Sequence, residues 1–293
     1  MNTFSSVKNG RVLSLILNEE IKEMALSFGA DIVGVAKIDS FNEIESQYRL
    51  KELKEDVKSV IVLGFSINRG ALRGVEEGTN WGAVNAGSPS NPMVIPSITY
   101  KFCKEFEKKY GCEATCLTKI PTSLVEVGAE ETTEDIISFF DYAAYVAGLG
   151  EISAGKFFLT KEYGARQYFA VVLTDADIEA DSIDTNSYCD GCMECAKSCP
   201  YQAIDVETTK KIVIDGNEVK WCSLDVEKCF LCRTGAISSQ YLDDGDFNIL
   251  NRGAKAMNTS IEPSRISAAC GRACVAHLED TVLKGTFINK FRG

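Results

Sequence analysis

Apolar residues recur every three or four positions in three segments of the N-terminal half, which is the period of an amphipathic helix. Asn18 is the candidate N-cap of the first of these helices. The expected helices cover residues 17–28, 98–110 and 134–147, and each is followed by a glycine that favours a stop, namely Gly29, Gly111 and Gly148.

Continuous apolar runs predict strands between the helices, at Asp31–Ala36, Ser59–Phe65 and Gln167–Thr174. The second strand is expected to be buried on both faces. Helices that alternate with strands indicate an α/β layer architecture for roughly the first 180 residues. Further on, Asp215 and Gly216 stand between apolar residues and predict a hairpin turn.

Two polar segments separate the predicted elements. Asn80–Pro92 is rich in Gly, Asn, Ser and Pro, and it is long enough for a functional role to be expected. The acidic segment Asp175–Asp184 is expected to lead into a second region of different composition.

Composition narrows the class of protein. The chain has 293 residues, 45% hydrophobic and 25% charged, which allows one large domain or two. A net charge of −11 argues against nucleic acid as a partner, since phosphate recognition relies on Lys and Arg clusters. The single histidine, His277, excludes multi-histidine zinc sites. No apolar run is long enough to cross a bilayer and no export signal is recognised, so a cytoplasmic location without a membrane partner is expected.

Cysteines carry the strongest chemical signal. Of the 12 in the chain, four form a C-x2-C-x2-C-x3-C run that is followed by Pro200, namely Cys189, Cys192, Cys195 and Cys199. This is the bacterial ferredoxin run, in which three thiolates bind one [4Fe–4S] cluster and the fourth binds another. A zinc ribbon would instead have two separated CxxC pairs.

Downstream cysteines supply the remote ligands that this run requires. Cys274 is expected to complete the first cluster. The second cluster would be bound by Cys199, Cys229, Cys270 and either Cys232 or Cys222, of which Cys232 is favoured because Cys229-x-x-Cys232 has the spacing of a local pair. The alternative is one cluster with several buried structural cysteines. Upstream, Cys103, Cys112 and Cys116 are expected to be packing residues rather than reactive thiols.

Several motifs resemble one family. The run CDGCMECAKSCPYQAI, the later WCSLDVEKC and the block AGLGEISAGKFFLTKEYGARQYFAVVLTD from Ala147 to Asp175 are similar to the epoxyqueuosine reductase and reductive dehalogenase superfamily. The opening strands GADIVGVAKIDSF and SVIVLGFSI are similar to it as well. The resemblance spans nearly the whole chain.

The resemblance implies a fold and cofactors. An α/β (α+β) domain of the corrinoid-binding type would occupy residues 1–180, and a ferredoxin-like domain with two [4Fe–4S] clusters would occupy residues 181–293. A base-off cobalamin would lie against the first domain, and a reduced ferredoxin or flavodoxin would donate electrons through the clusters under anaerobic conditions. The expected reaction is reductive cleavage of a small molecule by an oxidoreductase.

Three departures from the family pattern indicate a divergent member. The late cysteine motif is shortened to Cys270-x3-Cys274 without a proline, and the Asp-Tyr-His element of epoxyqueuosine reductases is missing. The chain also stops at Gly293 without a helical-repeat tail and begins without a twin-arginine signal. These features count against tRNA as a substrate, and the chain is not expected to be an epoxyqueuosine reductase.

The resemblance also suggests residues for the reaction space, and these stay hypotheses. Gly148, Leu149, Gly150 and Glu151 would lie along the corrin, with a helix stop as the equal alternative for Gly148. Tyr100, Tyr142 and Tyr163 are candidate proton donors, with Lys156 and Arg166 as charge partners. His277 is expected at the surface or beside a cluster rather than on cobalt, and Lys197 and Arg233 are candidates for raising a cluster potential. An iron–sulfur electron-transfer protein without corrinoid chemistry of its own is the alternative function.

Overall fold

Short strands and helices alternate along the chain in the computed structural model, which describes residues 6–8, 11–13, 18–41, 50–51, 53–76, 87, 89, 93–118, 135, 137–231, 265–289 and 291. In chain order the elements are β1 (Ser6–Lys8), β2 (Arg11–Leu13), α1 (Asn18–Phe28), β3 (Ile32–Lys37), a 3-10 turn (Ile38–Phe41), β4 (Ser59–Ser66), α2 (Arg69–Glu76), α3 (Val94–Tyr110), β5 (Ala114–Leu117), α4 (Phe139–Val146), β6 (Glu151–Ile152), β7 (Phe158–Leu159), β8 (Gln167–Thr174), α5 (Glu194–Lys197), β9 (Ile204–Ile214), β10 (Asn217–Leu224), α6 (Val226–Leu231), a second 3-10 turn (Arg265–Ser267) and α7 (Ala269–Asp280).

Four strands form the central sheet in the order β3-β4-β8-β5, and every neighbouring pair is antiparallel. The longest pairing joins β4 to β8 over eight residues each, from Ser59 opposite Thr174 to Ser66 opposite Gln167. The mixed α/β class predicted from the sequence is therefore confirmed, in the α+β form with an antiparallel sheet.

Side chains of the two central strands alternate between two apolar layers. Ile61 and Leu63 of β4 pack with α1 and α3 on one side, while Val60 and Val62 pack with α4 on the other. All four side chains are fully buried, and each contributes roughly 1.5–3 kcal/mol through burial. The sheet is thus covered by helices on both faces, as predicted for β4.

The acidic segment after β8 runs along the outer edge of β3. The Asp181 carboxylate accepts a hydrogen bond from the Val35 amide at 2.8 Å and one from Lys22 Nζ at 2.6 Å. The Asp181 amide in turn donates to the Val35 carbonyl at 2.8 Å. This pairing satisfies polar groups of an edge strand before the chain enters the cysteine region.

The cysteine region has a core of its own and a long hairpin. β9 and β10 pair antiparallel around Asp215 and Gly216, both in the left-handed region with φ of 50° and 76°, which confirms the predicted turn. A third apolar cluster joins Phe157 and Leu159 to Ile266 and other side chains around the cysteines. The predicted boundary at residues 180 and 181 stays a prediction.

Asp135 connects the hairpin to the loop between β6 and β7. Its Oδ1 accepts from Lys156 Nζ at 2.5 Å and from Trp221 Nε1 at 3.1 Å, and its Oδ2 accepts from the Leu224 amide at 2.7 Å. The carboxylate is almost fully buried, so these three donors compensate for the cost of removing its charge from water.

Most predicted elements are confirmed, and one boundary is wrong. Helices α1 and α3 end before Gly29 and Gly111, whose φ values of 110° and 67° suit a C-terminal stop. The third helix was expected to begin near residue 134, but α4 begins at Phe139. Ser138 is its N-cap, because the Ser138 Oγ accepts from the Asp141 amide at 3.1 Å.

Two further expectations can be compared only with the described residues. The loop Asn80–Pro92 lies outside the described residues except for Gly87 and Pro89. Among the described helices, none has both the length and the apolar character needed to cross a membrane.

Candidate iron–sulfur site

The ferredoxin-type run folds as a tight loop followed by the single turn α5. Gly191 and Met193 both take left-handed backbone conformations, with φ of 72° and 59°. The glycine adopts this at no steric cost, and space is open where its Cβ would stand. The loop can therefore fold sharply enough to bring nearby thiols to one side.

Four thiols line a single pocket, namely Cys189, Cys192, Cys195 and Cys274. We call them the first thiol set. Cys189 and Cys192 come from the loop, Cys195 comes from α5 and Cys274 comes from α7. Burial raises the pKa of Cys274 strongly, and the neighbouring thiols of the loop raise it further. The structure thus brings together the four cysteines that the sequence assigned to the first cluster.

The walls of this pocket fit a cluster. Gly155 lies so close to the loop that a Cβ on it would stand 2.5 Å from the Cys195 Sγ. A set of four sulfur donors in a compact pocket is the chemistry that a [4Fe–4S] cluster requires. The cluster, when bound, would supply one-electron transfer.

Glu151 holds the start of the loop. Its Oε1 accepts hydrogen bonds from the backbone amides of Tyr188, at 2.5 Å, and of Cys189, and its Oε2 accepts from Ser187 Oγ at 3.2 Å. Sequence analysis placed Glu151 along a corrin, whereas the structure places its carboxylate on the cysteine loop. Its charge assists the hydrogen bonds that fix the first ligand.

Three cysteines form a second group. Burial raises the pKa of Cys229, and the charges of Cys270 and Cys199 raise it further. Burial also raises the pKa of Cys270, with a contribution from the charge of Cys199, so the three thiols lie close together. The Ala203 amide donates to the Cys199 Sγ at 3.3 Å, an N–H···S bond of the type found around iron–sulfur clusters. Together with a fourth cysteine, they form what we call the second thiol set.

Of the two candidates for the fourth position, Cys222 lies within the described residues. Cys222 is buried, and its Sγ lies 3.9 Å from the Met193 Sδ in the loop of the first set. After burial, the charge of Cys189 is the main influence that raises its pKa. Cys232 lies outside the described residues. The position of Cys222 therefore favours Cys232, and the ligand assignment stays a prediction.

Arg265 lies between the two sets. Its two terminal nitrogens donate to the carbonyls of Lys156, at 2.9 Å, and Gly155, at 2.8 Å, and its guanidinium lies 4.3 Å from the centre of the Phe157 ring. Burial raises the pKa of Cys195 to about 11, and the Arg265 charge opposes this rise. Arg265 also opposes the effect of burial at two cysteines of the second set, Cys229 and Cys270.

Sequence analysis did not single out Arg265, Asp135 or the partner of His277. The His277 Nε2 lies 2.7 Å from an Asp190 carboxylate oxygen, and both residues line the pocket of the first set. This position agrees with the expected place beside a cluster. The sequence signal that could have identified Arg265 is its position, because it is a cation only five residues before Cys270.

The candidate proton donors are not brought together. The Tyr142 side chain is buried and its hydroxyl donates to the Ser40 carbonyl at 2.9 Å. Tyr100 is 66% exposed on α3. Tyr163 is half-buried, and burial raises its pKa. Their catalytic role stays a hypothesis.

The two proposed charge partners contact other parts of the chain. Lys156 binds Asp135, and burial lowers the pKa of Lys156. The buried Arg166 donates from Nη1 to the Ile67 carbonyl at 2.7 Å and lies over the Phe287 ring. Arg166 also lies beside one of the three tyrosines, since its amide donates to the Tyr163 carbonyl at 3.0 Å and its charge opposes the effect of burial on the pKa of Tyr163.

The AGLGE block packs against its own chain. A Cβ on Gly148, whose φ is 71°, would stand 2.2 Å from the Ser182 carbonyl oxygen. A Cβ on Gly150 would stand 2.0 Å from the Leu159 carbonyl oxygen. Leu149 packs beside the sheet core. The close approach that these glycines permit is therefore to the chain's own backbone, and their expected place along a corrin stays a prediction.

The upstream cysteines lie apart from both thiol sets. Cys103, Cys112 and Cys116 pack on the face of the sheet covered by α1 and α3. Burial raises the pKa of Cys103 to about 12, with a smaller contribution from Cys116. Such thiols are poor nucleophiles at neutral pH, as expected of packing residues.

Comparison with known proteins identifies the class of the cysteine region. A family model described as a 4Fe-4S binding domain matches residues 185–204, which contain the whole ferredoxin-type run. The chain therefore contains a 4Fe–4S binding domain.

Curated relatives match one part of the chain. Tetrachloroethene reductive dehalogenases of Desulfitobacterium hafniense and Dehalobacter restrictus are 34% identical over 73 residues, which is 24% of this chain and 13% of theirs. The chain thus corresponds to a small fraction of the length of these enzymes.

Solved structures extend the likeness to the fold. A reductive dehalogenase described in connection with B12-dependent dehalogenation has a TM-score of 0.53 at 22% identity, over 96% of this chain and 39% of that one. A variant of a catabolic reductive dehalogenase also has a TM-score of 0.53, at 21% identity over 90% of this chain and 36% of that one. Epoxyqueuosine reductase from Streptococcus thermophilus has a TM-score of 0.48 at 18% identity, over 87% and 66% of the two chains. The resemblance inferred from the sequence is confirmed as a likeness of fold to the two reductive dehalogenase structures.

Proposed function

We propose that this protein is an iron–sulfur oxidoreductase that carries electrons through two [4Fe–4S] clusters to an acceptor beside the sheet. The observation that carries the proposal is the pocket lined by the four thiols of the first set. A 4Fe–4S family match over the same loop supports the cluster type.

The arrangement of the two sets supports a relay between clusters. Helix α7 carries Cys270 of the second set and Cys274 of the first, one helical turn apart. The thiols of Cys195 and Cys270 are near enough for the charge of one to act on the other. Two clusters bound here would be neighbours, so an electron entering at one could pass to the other.

Cobalamin is the acceptor that the fold relatives suggest, and reductive cleavage of a small molecule is the reaction. A bound cobalamin would supply a low-valent cobalt centre for this chemistry. Because Gly148 and Gly150 are covered by the chain's own backbone, we assign no step at cobalt to a named side chain. We further propose a reduced ferredoxin or flavodoxin as donor and the cytoplasm as location.

The same packing of the two glycines favours a second candidate. In this alternative the protein is an electron-transfer protein that passes electrons to a partner and makes no corrinoid-based chemistry of its own. The two candidates share both clusters and differ only in the acceptor.

Anaerobic reconstitution followed by a cobalamin titration separates the candidates. We expect about eight iron and eight sulfide per chain, as two clusters require. Absorbance changes and a base-off cob(II)alamin spin-resonance spectrum on addition of cobalamin would support the first candidate. Full cluster content without corrinoid binding would reject it in favour of the second.

A matched pair of variants controls the cluster count. Cys195→Ser removes a thiol of the first set, and Cys103→Ser removes a buried thiol on the distant face of the sheet. Loss of iron in the first variant alone is the expected result. Equal iron in both variants and in the unchanged protein would contradict the assignment of the pocket.

A further inference from the structure

One cation is fixed between the two cysteine groups, and the proposed relay does not account for it. Arg265 opens the 3-10 turn that precedes α7. Its terminal nitrogens are bound to two successive carbonyls of the loop between β6 and β7, and the Phe157 ring supports the guanidinium plane. Three contacts therefore hold a normally flexible side chain in one orientation.

The third nitrogen of this guanidinium, Nε, lacks such a partner among the described residues. The Arg265 Nε is buried and finds no hydrogen-bond partner within the part of the chain that the structure describes. A buried donor without an acceptor costs about 1–3 kcal/mol, so such groups usually have a partner or a functional reason. Cluster sulfides and cysteine thiolates are acceptors of the kind that would satisfy it.

The surroundings of Arg265 belong to both thiol sets. Gly155, which accepts one of its hydrogen bonds, borders Cys195 of the first set. Its charge acts on Cys195 and also on Cys229 and Cys270 of the second set. A fixed positive charge in a buried setting is weakly screened and favours the more negative, reduced form of a nearby cluster.

We propose that Arg265 is a positioning residue for electron transfer, which lies between the two clusters, donates its Nε–H to a sulfur of the cluster site and raises the reduction potentials of both clusters. The inference rests on the proposed clusters.

Potentiometric titration of Arg265→Gln, followed by the spin-resonance signals of the reduced clusters, tests this role. Glutamine removes the charge and keeps a polar side chain. We expect full iron content, with both midpoint potentials shifted to more negative values. Arg265→Lys, which keeps the charge, should show smaller shifts.

Lys197→Gln is the matched control. Lys197 also stands among the cysteines, where its Nζ donates to the Cys192 carbonyl at 3.1 Å, but its side chain is 63% exposed. Solvent screens its charge, so little change in potential is expected. If Arg265→Gln shifts neither potential, or shifts them no more than Lys197→Gln does, the inference is wrong.

A measurement on the unchanged sequence keeps the test open if the variants lose their clusters. With 15N-labelled arginine, pulsed spin resonance of the reduced protein should detect a 15N nucleus coupled to a cluster. Absence of this coupling in protein with full iron content would overturn the inference, while the proposed function would stand. Protein that binds no cluster at all would instead reject the proposed function.

Discussion

The two thiol sets are built differently. Three of the four cysteines in the first set come from one short segment, the cysteine loop and the turn α5, which is held by the Glu151 carboxylate and bordered by Gly155. The second set draws Cys199 from the segment after α5, Cys229 from α6 and Cys270 from α7. A locally built site depends on the shape of one loop, whereas a dispersed site depends on how helices dock. The first set should therefore be sensitive to changes in the loop, and the second to changes in the packing of α6 and α7.

Removing one thiol from each set should have the largest effect and should separate the two clusters. Cys195→Ala is expected to abolish the first cluster and Cys270→Ala the second, each leaving about four of eight iron atoms per chain. The check is anaerobic iron and sulfide analysis with spin resonance of the reduced protein. The two variants should retain different signals. Complete loss of iron in both would show that the sets assemble as one unit.

The next largest effect on iron content is expected from removing the fourth ligand of the second set. Cys232→Ala should lose the second cluster, and Cys222→Ala should keep both, because Cys222 contacts Met193 on the side of the first set. Iron content and the spectrum of the reduced clusters measure this difference. The reverse result, with iron lost only in Cys222→Ala, would assign Cys222 to the second cluster.

Adding a methyl group beside the first thiol set tests whether cluster binding there depends on the shape of the cysteine loop. Gly155→Ala places a Cβ 2.5 Å from the Cys195 Sγ, so we expect at least half of the first cluster to be lost with the second retained. Gly216→Ala is the control, since its hairpin turn has open space and a φ of 76°. It should cost about 1 kcal/mol of unfolding free energy without loss of iron. Equal iron content in both variants would count against a tightly bordered pocket.

The smallest expected effect is a pH dependence of the apoprotein. Burial raises the pKa of Cys195 from 9.0 to about 11. The folded apoprotein therefore holds this proton more tightly than the unfolded chain, and the associated stability is present below pH 9 and decreases as the pH rises through about 11. The melting temperature of the apoprotein should fall as the pH rises from 9 to about 11, and that of Cys195→Ser should fall less. An equal decrease of the melting temperature in both proteins would contradict the prediction.

The sequence predicts elements whose signals are local. The apolar run predicts the position of β4, and the glycines after α1 and α3 predict where these helices end. The cysteine spacing predicts a cluster-binding loop. The start of α4 was missed because apolar spacing continues upstream of the Ser138 cap. Local sequence signals therefore predict these features, whereas the start of α4 depends on its N-cap residue.

Other features depend on contacts between distant residues. Arg265 reaches the carbonyls of Gly155 and Lys156, which precede it by 110 and 109 positions, and no periodicity reports such a contact. The same is true of Asp135, whose acceptor role toward Trp221 and Leu224 appears only in the folded chain. The predicted corrin contacts of Gly148 and Gly150 rested on the close backbone approach that glycine permits. In the structure this close approach is made to the chain's own backbone.

The hydrogen bonds of Glu151 also bear on how a cluster would enter. Ordering the backbone of one residue costs roughly 1–2 kcal/mol of conformational entropy at room temperature. Glu151 restrains Ser187, Tyr188 and Cys189 through hydrogen bonds within the chain itself. The entry segment of the loop is thus preorganised, and insertion of a cluster need not freeze it. Most of the free energy of sulfur–iron bond formation then remains available for retention of the cluster.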